Sequence, residues 1–242
     1  MPNINKLTLL ERCEQRFFER MQQRMGSNAN AVEWVSYHIP KTAGTSFRVA
    51  LQQAFGDDSF FGVYESSGAN ELSLGQQIWL PPKRSVIHGH FRPHSRHKNL
   101  FRNAKRITWL RDPIKRMWSQ LNHTLDVKNN DKVFDFVNSR CLKHGITDRE
   151  AIFKTLLKIP ESKRFFNVYE RDYSNFSRQF FHFVGNTDCY AEDLQRLSEF
   201  MRKPLTTQAL NSSKNKQPAP QLNDKERAYF SEEYRIFERL TG

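Results

Sequence analysis

Cysteine is scarce in this chain of 242 residues: Cys13, Cys141 and Cys189 are the only three. They are odd in number, far apart, and form no CxxC pair. That excludes a disulfide scaffold and offers no set of four grouped zinc ligands. Free thiols in a reducing compartment are the expectation. Glycine and proline number 10 each, which excludes a collagen-like or low-complexity chain. No stretch approaches the roughly 18 apolar residues of a membrane span. The first segment carries Glu11, Arg12, Glu14 and Arg16 where a signal peptide needs an apolar core. A cytoplasmic protein without a transmembrane segment is therefore expected.

Acidic residues are also in short supply. Asp and Glu total 26 against 38 Lys and Arg, a balance of +12. Between Arg92 and Arg116 nine basic residues face one acid, Asp112. Such a surface attracts anions, but charge alone does not choose between nucleic acid, nucleotide and acidic saccharide. Aromatics are plentiful, with 20 Phe, 7 Tyr and 4 Trp, so the chain has large apolar groups to bury and is not disordered.

Apolar spacing predicts a helix over 5–25, ended by Gly26-Ser27-Asn28. Strands are expected at 33–39, 60–65, 84–88, 105–110 and 179–184, from their β-branched and aromatic content. Helices are expected after Thr45 or Ser46 as far as Phe55, with Gly56 closing, and over 71–80, 113–125, 131–143, 148–158, 190–202 and 222–240. Residues 211–221 read as a polar, Pro-containing loop. Strands alternating with helices give an α/β fold with a central, mainly parallel sheet flanked by helices. Ligands then belong at the carboxyl ends of the strands.

Three loops follow such strands. The first, His38-Ile39-Pro40-Lys41-Thr42-Ala43-Gly44-Thr45-Ser46-Phe47, runs from a strand into a helix. Its backbone N–H groups suit phosphate or sulfate oxygens, and Lys41 adds a full charge. Lys41 precedes Gly44 by three positions, so the GxxxxGK[ST] order of a nucleoside-triphosphate loop is absent. The second, Val86-Ile87-His88-Gly89-His90-Phe91, ends a strand with two histidines. A neutral imidazole can serve as a general base, and a cationic neighbourhood favours the neutral form. A structural role remains open, as does a metal cluster with His94 and His97, which the surrounding cations disfavour. The third, Ile107 to Ser119, holds Arg111 at a strand end. Arg111 and Ser119 clamp one phosphate if the intervening helix crosses back over the site. Asp112 is a candidate helix cap, and for Phe91 and Trp118 core packing is favoured over stacking on a sugar or adenine.

Together HIPKTAGTSF, IHGHF and ITWLRDPIKRMWSQ resemble the sulfotransferase superfamily, most closely the branch of heparan sulfate 2-O-sulfotransferase and related carbohydrate and bacterial enzymes. The resemblance runs from about Trp34 to the last helix. It implies one sulfotransferase domain over 1–242, with 1–30 as a helical extension, and a three-layer P-loop-like fold. It implies transfer of a sulfuryl group from 3′-phosphoadenosine 5′-phosphosulfate (PAPS) to a hydroxyl acceptor, which the branch implies is a saccharide or polysaccharide, releasing adenosine 3′,5′-bisphosphate (PAP) and using no metal. By the same resemblance Lys41, Thr42, Ala43, Gly44, Thr45 and Ser46 hold the 5′-phosphosulfate, and Arg111 and Ser119 hold the 3′-phosphate. His90 is then the base, His88 its support, and Lys41 the lysine on the bridging oxygen. Ser212, Ser213 and Lys214 correspond to a loop closing over the nucleotide. Arg92 and Arg96 in the basic run are candidates for acceptor binding, against the alternative of a solvated face. Two other functions stay open on the residues alone: a nucleotide kinase, and a non-catalytic polyanion-binding module.

Overall fold

The computed structural model describes residues 28–128, 131–206 and 218–242. Five strands form its sheet: β1 (Trp34–Tyr37), β2 (Phe60–Val63), β3 (Val86–Gly89), β4 (Lys105–Leu110) and β5 (Phe183–Asn186). Their order is β2-β3-β1-β4-β5, and every neighbouring pair is parallel. The helices used below are α1 (Gly44–Phe55), α2 (Pro113–Val127), α3 (Lys132–Arg140), α4 (Arg149–Leu157), α5 (Val168–Tyr173), α6 (Tyr190–Met201) and α7 (Ser231–Thr241). The expected α/β architecture, a parallel sheet flanked by helices, is what the chain adopts.

Successive residues of a strand point to opposite faces, and both faces here are covered. Val35, Tyr37, Ile87 and Leu110 join one apolar cluster, with α7 residues Ile236 and Leu240. Trp34, Val86, Ile107 and Trp109 join another, with Phe47 and Leu51 of α1 and Leu194 and Leu197 of α6. A third cluster is mostly helical and lies off the sheet. It gathers Met117, Trp118 and Leu121 of α2 with Val137, Ile152, Phe153 and Phe230. Phe91 and Trp118 are both core residues, 3% and 6% exposed.

Several boundaries differ from those the sequence predicts. The helix expected over 71–80 shrinks to Ala69–Ser73, because Gly75 turns the backbone left-handed and Ile78 and Leu80 are then buried. The last strand is displaced from 179–184 to Phe183–Asn186, where it registers against Ile107–Leu110. Phe180 and Phe181 instead pack edge-on against each other and around Tyr37. The final helix is divided into Asp224–Arg227, a 3-10 turn and α7. The helix predicted over 5–25 and Cys13 lie outside the described residues, while Cys141 and Cys189 are free thiols.

The connections change direction at the sheet's centre. The connection from β1 leads to β2 on one side, and that from β4 leads to β5 on the other. Adjacent strands with diverging connections leave a crevice at their carboxyl ends. The loops after β1, β3 and β4 all emerge at that edge.

Candidate functional site

The loop after β1 turns on two non-glycine residues with positive φ, Lys41 (70°) and Ala43 (60°). Thr42 between them is fully buried and donates from Oγ1 to the Ile39 carbonyl at 2.8 Å. Thr45 or Ser46 is the helix cap that the sequence predicts, but the cap position falls on Ala43, and Gly44 already opens α1. The left-handed turn at Ala43 starts the helix early. Ala43 at the cap position has no side-chain acceptor, and the N-terminal end of α1, with its partial positive charge, faces the crevice. Gly44 is required by space: a Cβ there would stand 1.7 Å from His38 Nε2.

Three histidines gather beside this loop. His38 follows β1, His88 lies within β3 and His90 follows it. The His38 ring centroid is 4.3 Å from that of His90 and 5.1 Å from that of His88. His88 is buried, pairs in register with Ser36 and meets its Oγ through Nδ1 at 2.8 Å. His90 opens to solvent, edge-on to Tyr64 at 5.2 Å between centroids. No hydrogen bond to another described residue engages its ring. Gly89 between them passes so close to β2 that a Cβ would lie 1.6 Å from the Val63 carbonyl oxygen.

All three imidazoles are held below the usual histidine pKa. Burial is the first cause in each case, and the Arg48 cation adds to it. For His88 the value falls to about 3, although its backbone interaction at Gly44 opposes the shift. The neutral His90 that the sequence anticipates thus comes from desolvation and from Arg48, not from the basic run after it. Arg48 stands in the first turns of α1, and its buried Nε has no partner among the described residues. Sequence reading passed over Arg48 and His38: one looks like an ordinary helix arginine, the other like the end of a strand.

The loop after β4 meets the first loop directly. Arg111 donates from Nη1 to the Lys41 carbonyl at 3.3 Å. Burial lowers the Lys41 pKa, with the Arg111 charge second, while Asp126 raises it. His123 in turn feels Lys41, so α2 runs past the first loop with Ser119, half-buried, on the intervening stretch. Asp112 caps α2 as expected, accepting from Lys115 N at 2.9 Å. Asp188, after β5, adds a carboxylate that sequence reading did not place: it pairs with Lys115 at 2.8 Å and influences Arg111.

Other candidates sit apart from this constellation. His97 is buried between Tyr37 OH at 3.0 Å and the Leu72 carbonyl at 2.8 Å, a structural role. His94 accepts from the Arg96 amide. No group of three or more His, Cys, Asp or Glu able to hold a metal occurs among the described residues. Arg92 and Arg96 are exposed. Arg92 approaches Asp172 at 3.7 Å, but Arg171 already binds that carboxylate through two nitrogens at 2.9 and 2.7 Å. Arg92 itself is mostly exposed and stands at the outer limit of an ion pair, so it is not committed to Asp172. Arg106 is buried, donating to the Phe180 carbonyl at 2.7 Å over the Phe180 ring, and so leaves the basic face. Ser212, Ser213 and Lys214 lie outside the described residues.

Among solved structures the chain is similar to a sulfotransferase from Alicyclobacillus acidocaldarius, at 13% identity and a TM-score of 0.42, with 86% of this chain and 94% of that chain covered. No protein-family model and no curated protein matches it. Among the described residues no helix is long and apolar enough to cross a membrane.

Proposed function

We propose that the chain is a PAPS-dependent sulfotransferase acting on a hydroxyl acceptor, a saccharide in the first instance, and that it is related to the heparan sulfate 2-O-sulfotransferase branch. The observation that carries this reading is the convergence of three unlike groups on one sheet edge. They are the N-terminal end of α1 with Lys41, the Arg111 guanidinium, which donates to the Lys41 carbonyl, and the solvent-facing His90 with its depressed pKa. The motif resemblance supports it residue by residue at Lys41–Ser46, His88, His90, Arg111 and Ser119.

The donor supplies a sulfuryl group already bonded to a good leaving phosphate. The chain supplies position and charge, which dominate in-line transfers of this class. Lys41 and the α1 amides of residues 44–46 bind the phosphosulfate, and Arg111 with Ser119 binds the 3′-phosphate. His90, neutral at pH 7, takes the acceptor's hydroxyl proton on a ring nitrogen as that oxygen bonds to sulfur and the phosphate oxygen leaves with the old bond's electrons. His88 supports the His90 strand through Ser36. Arg92 and Arg96 contribute to an acidic acceptor's binding.

The test is ligand-dependent melting. PAP raises the melting temperature strongly, and ATP with Mg²⁺ does so much less. Stabilisation by Mg-ATP without an effect of PAP would return the chain to the kinases. Labelled donor offered to a panel of hydroxyl compounds then names the acceptor.

A further inference from the structure

The register of β4 ends at Leu110, which faces Asn186 of β5. Arg111 is the next residue and has no ladder partner, yet its backbone is fully bonded. The hydroxyl of Tyr169 accepts from Arg111 N at 2.9 Å and donates to Arg111 O at 2.7 Å. One side-chain oxygen thus satisfies both backbone groups that a further strand residue would have engaged. On the other side of the turn the Tyr234 hydroxyl donates to Asp112 Oδ2 at 2.6 Å, while Oδ1 of the same carboxylate caps α2.

Both tyrosines are anchored by the C-terminal helix. Tyr234 belongs to α7, whose Phe237 stacks on the Tyr169 ring at 6.3 Å between centroids. Glu233 of α7, itself buried, accepts from the Glu170 amide at 2.6 Å and so fixes the start of α5, which carries Tyr169. The buried Arg116 guanidinium lies 5.6 Å over the Tyr169 ring. Tyr169 is wholly buried, and its hydroxyl is spent on the backbone of Arg111.

We infer that Tyr169 is a positioning residue that sets the Arg111 guanidinium for the donor's 3′-phosphate, with Tyr234 steadying the same turn from α7. This rests on the function proposed above. Arg111 leaves the sheet where strand pairing no longer directs it, and a guanidinium binds a phosphate well only when its fork is oriented. The hydroxyl of Tyr169 supplies that direction from a fully packed ring.

The experiment is a double-mutant cycle read by calorimetric binding of PAP to the full chain, with melting temperature recorded for every variant. Tyr169→Phe weakens PAP binding by about tenfold, as loss of hydrogen bonds to a fixed backbone does. In an Arg111→Ala background the same change has no further effect, because the tyrosine acts through that arginine. A Tyr169→Phe protein that binds PAP as wild type does, or one whose loss simply adds to that of Arg111→Ala, overturns the inference. A purely structural tyrosine would lower the melting temperature and give that additive result. Should Tyr169→Phe yield no folded protein, Tyr234→Phe runs through the same cycle, with the same two results deciding. Wild-type protein that fails to bind PAP removes the functional reading and this inference together, whereas loss confined to the cycle removes the inference alone.

Discussion

Ser36 Oγ stands 2.8 Å from His88 Nδ1, tying β1 to β3 beneath the candidate site. The buried imidazole is neutral, its pKa pushed down to about 3, chiefly by burial. In the unfolded chain it returns to about 6.5. Between those limits the unfolded state binds the extra proton, so stability present above pH 6.5 is lost as pH falls. His97, at about 4, acts in the same sense. Each contributes a slope of up to about 1.4 kcal/mol per pH unit. Chemical denaturation at pH 7.5, 6 and 5 should show this decline, and His88→Gln should flatten it. Equal stability at all three values would refute a neutral buried His88.

His90→Ala is expected to reduce transfer by about 10²–10⁴-fold, the usual worth of a general base. PAP affinity should stay near wild type, since the proposed function gives His90 a part in proton transfer and none in donor binding. Parallel loss of rate and PAP affinity would make His90 a donor-binding residue instead.

Arg48→Met tests the electrostatics of the histidine group. Desolvation and then the Arg48 charge hold the His90 pKa down. Removing the charge raises it, so the acidic limb of the rate profile moves to higher pH. Activity at pH 6 should fall relative to activity at pH 8. An unmoved limb would mean that Arg48 does not set the base.

The two glycines of the site should fail differently when changed to alanine. At Gly89 the new methyl meets backbone, the Val63 carbonyl at 1.6 Å, and strand pairing must give way, at a cost above about 3 kcal/mol. At Gly44 it meets the end of a side chain, His38 Nε2 at 1.7 Å, which can swing aside. Gly89→Ala should therefore be insoluble or melt far lower, and Gly44→Ala should fold but bind PAP weakly. Thermal melts and PAP titrations of both proteins check this, and a stable Gly89→Ala protein would contradict the close approach of β2 and β3.

The sheet was legible because its strands are short runs rich in apolar residues, and Pro40, Gly89 and Asp112 mark the ends of β1, β3 and β4 to within three residues. Their carboxyl-end loops carried the motifs, so the edge to search followed from the alternation alone. Helix starts were less legible. Nothing in Thr-Ala-Gly-Thr-Ser announces that Ala43 turns left-handed and begins the helix before either hydroxyl residue. Arg48 resembles any helix arginine until the fold brings three histidines to it. Tyr169 and Tyr234 are 58 and 122 residues from the groups they bind, a separation that no local pattern spans. His97, close in sequence to His88 and His90, proved to belong to the packing around Tyr37.

The crevice has two banks rooted in different interiors. The histidine bank rests on the clusters that sandwich the sheet, whereas α2, behind Arg111, rests in the helical cluster with Ile152 and Phe153. On the proposed function, thinning that helical interior slackens the bank that holds the nucleotide and leaves the histidine bank on its strands. The two banks are thereby separable within one chain, each reachable through its own set of apolar residues.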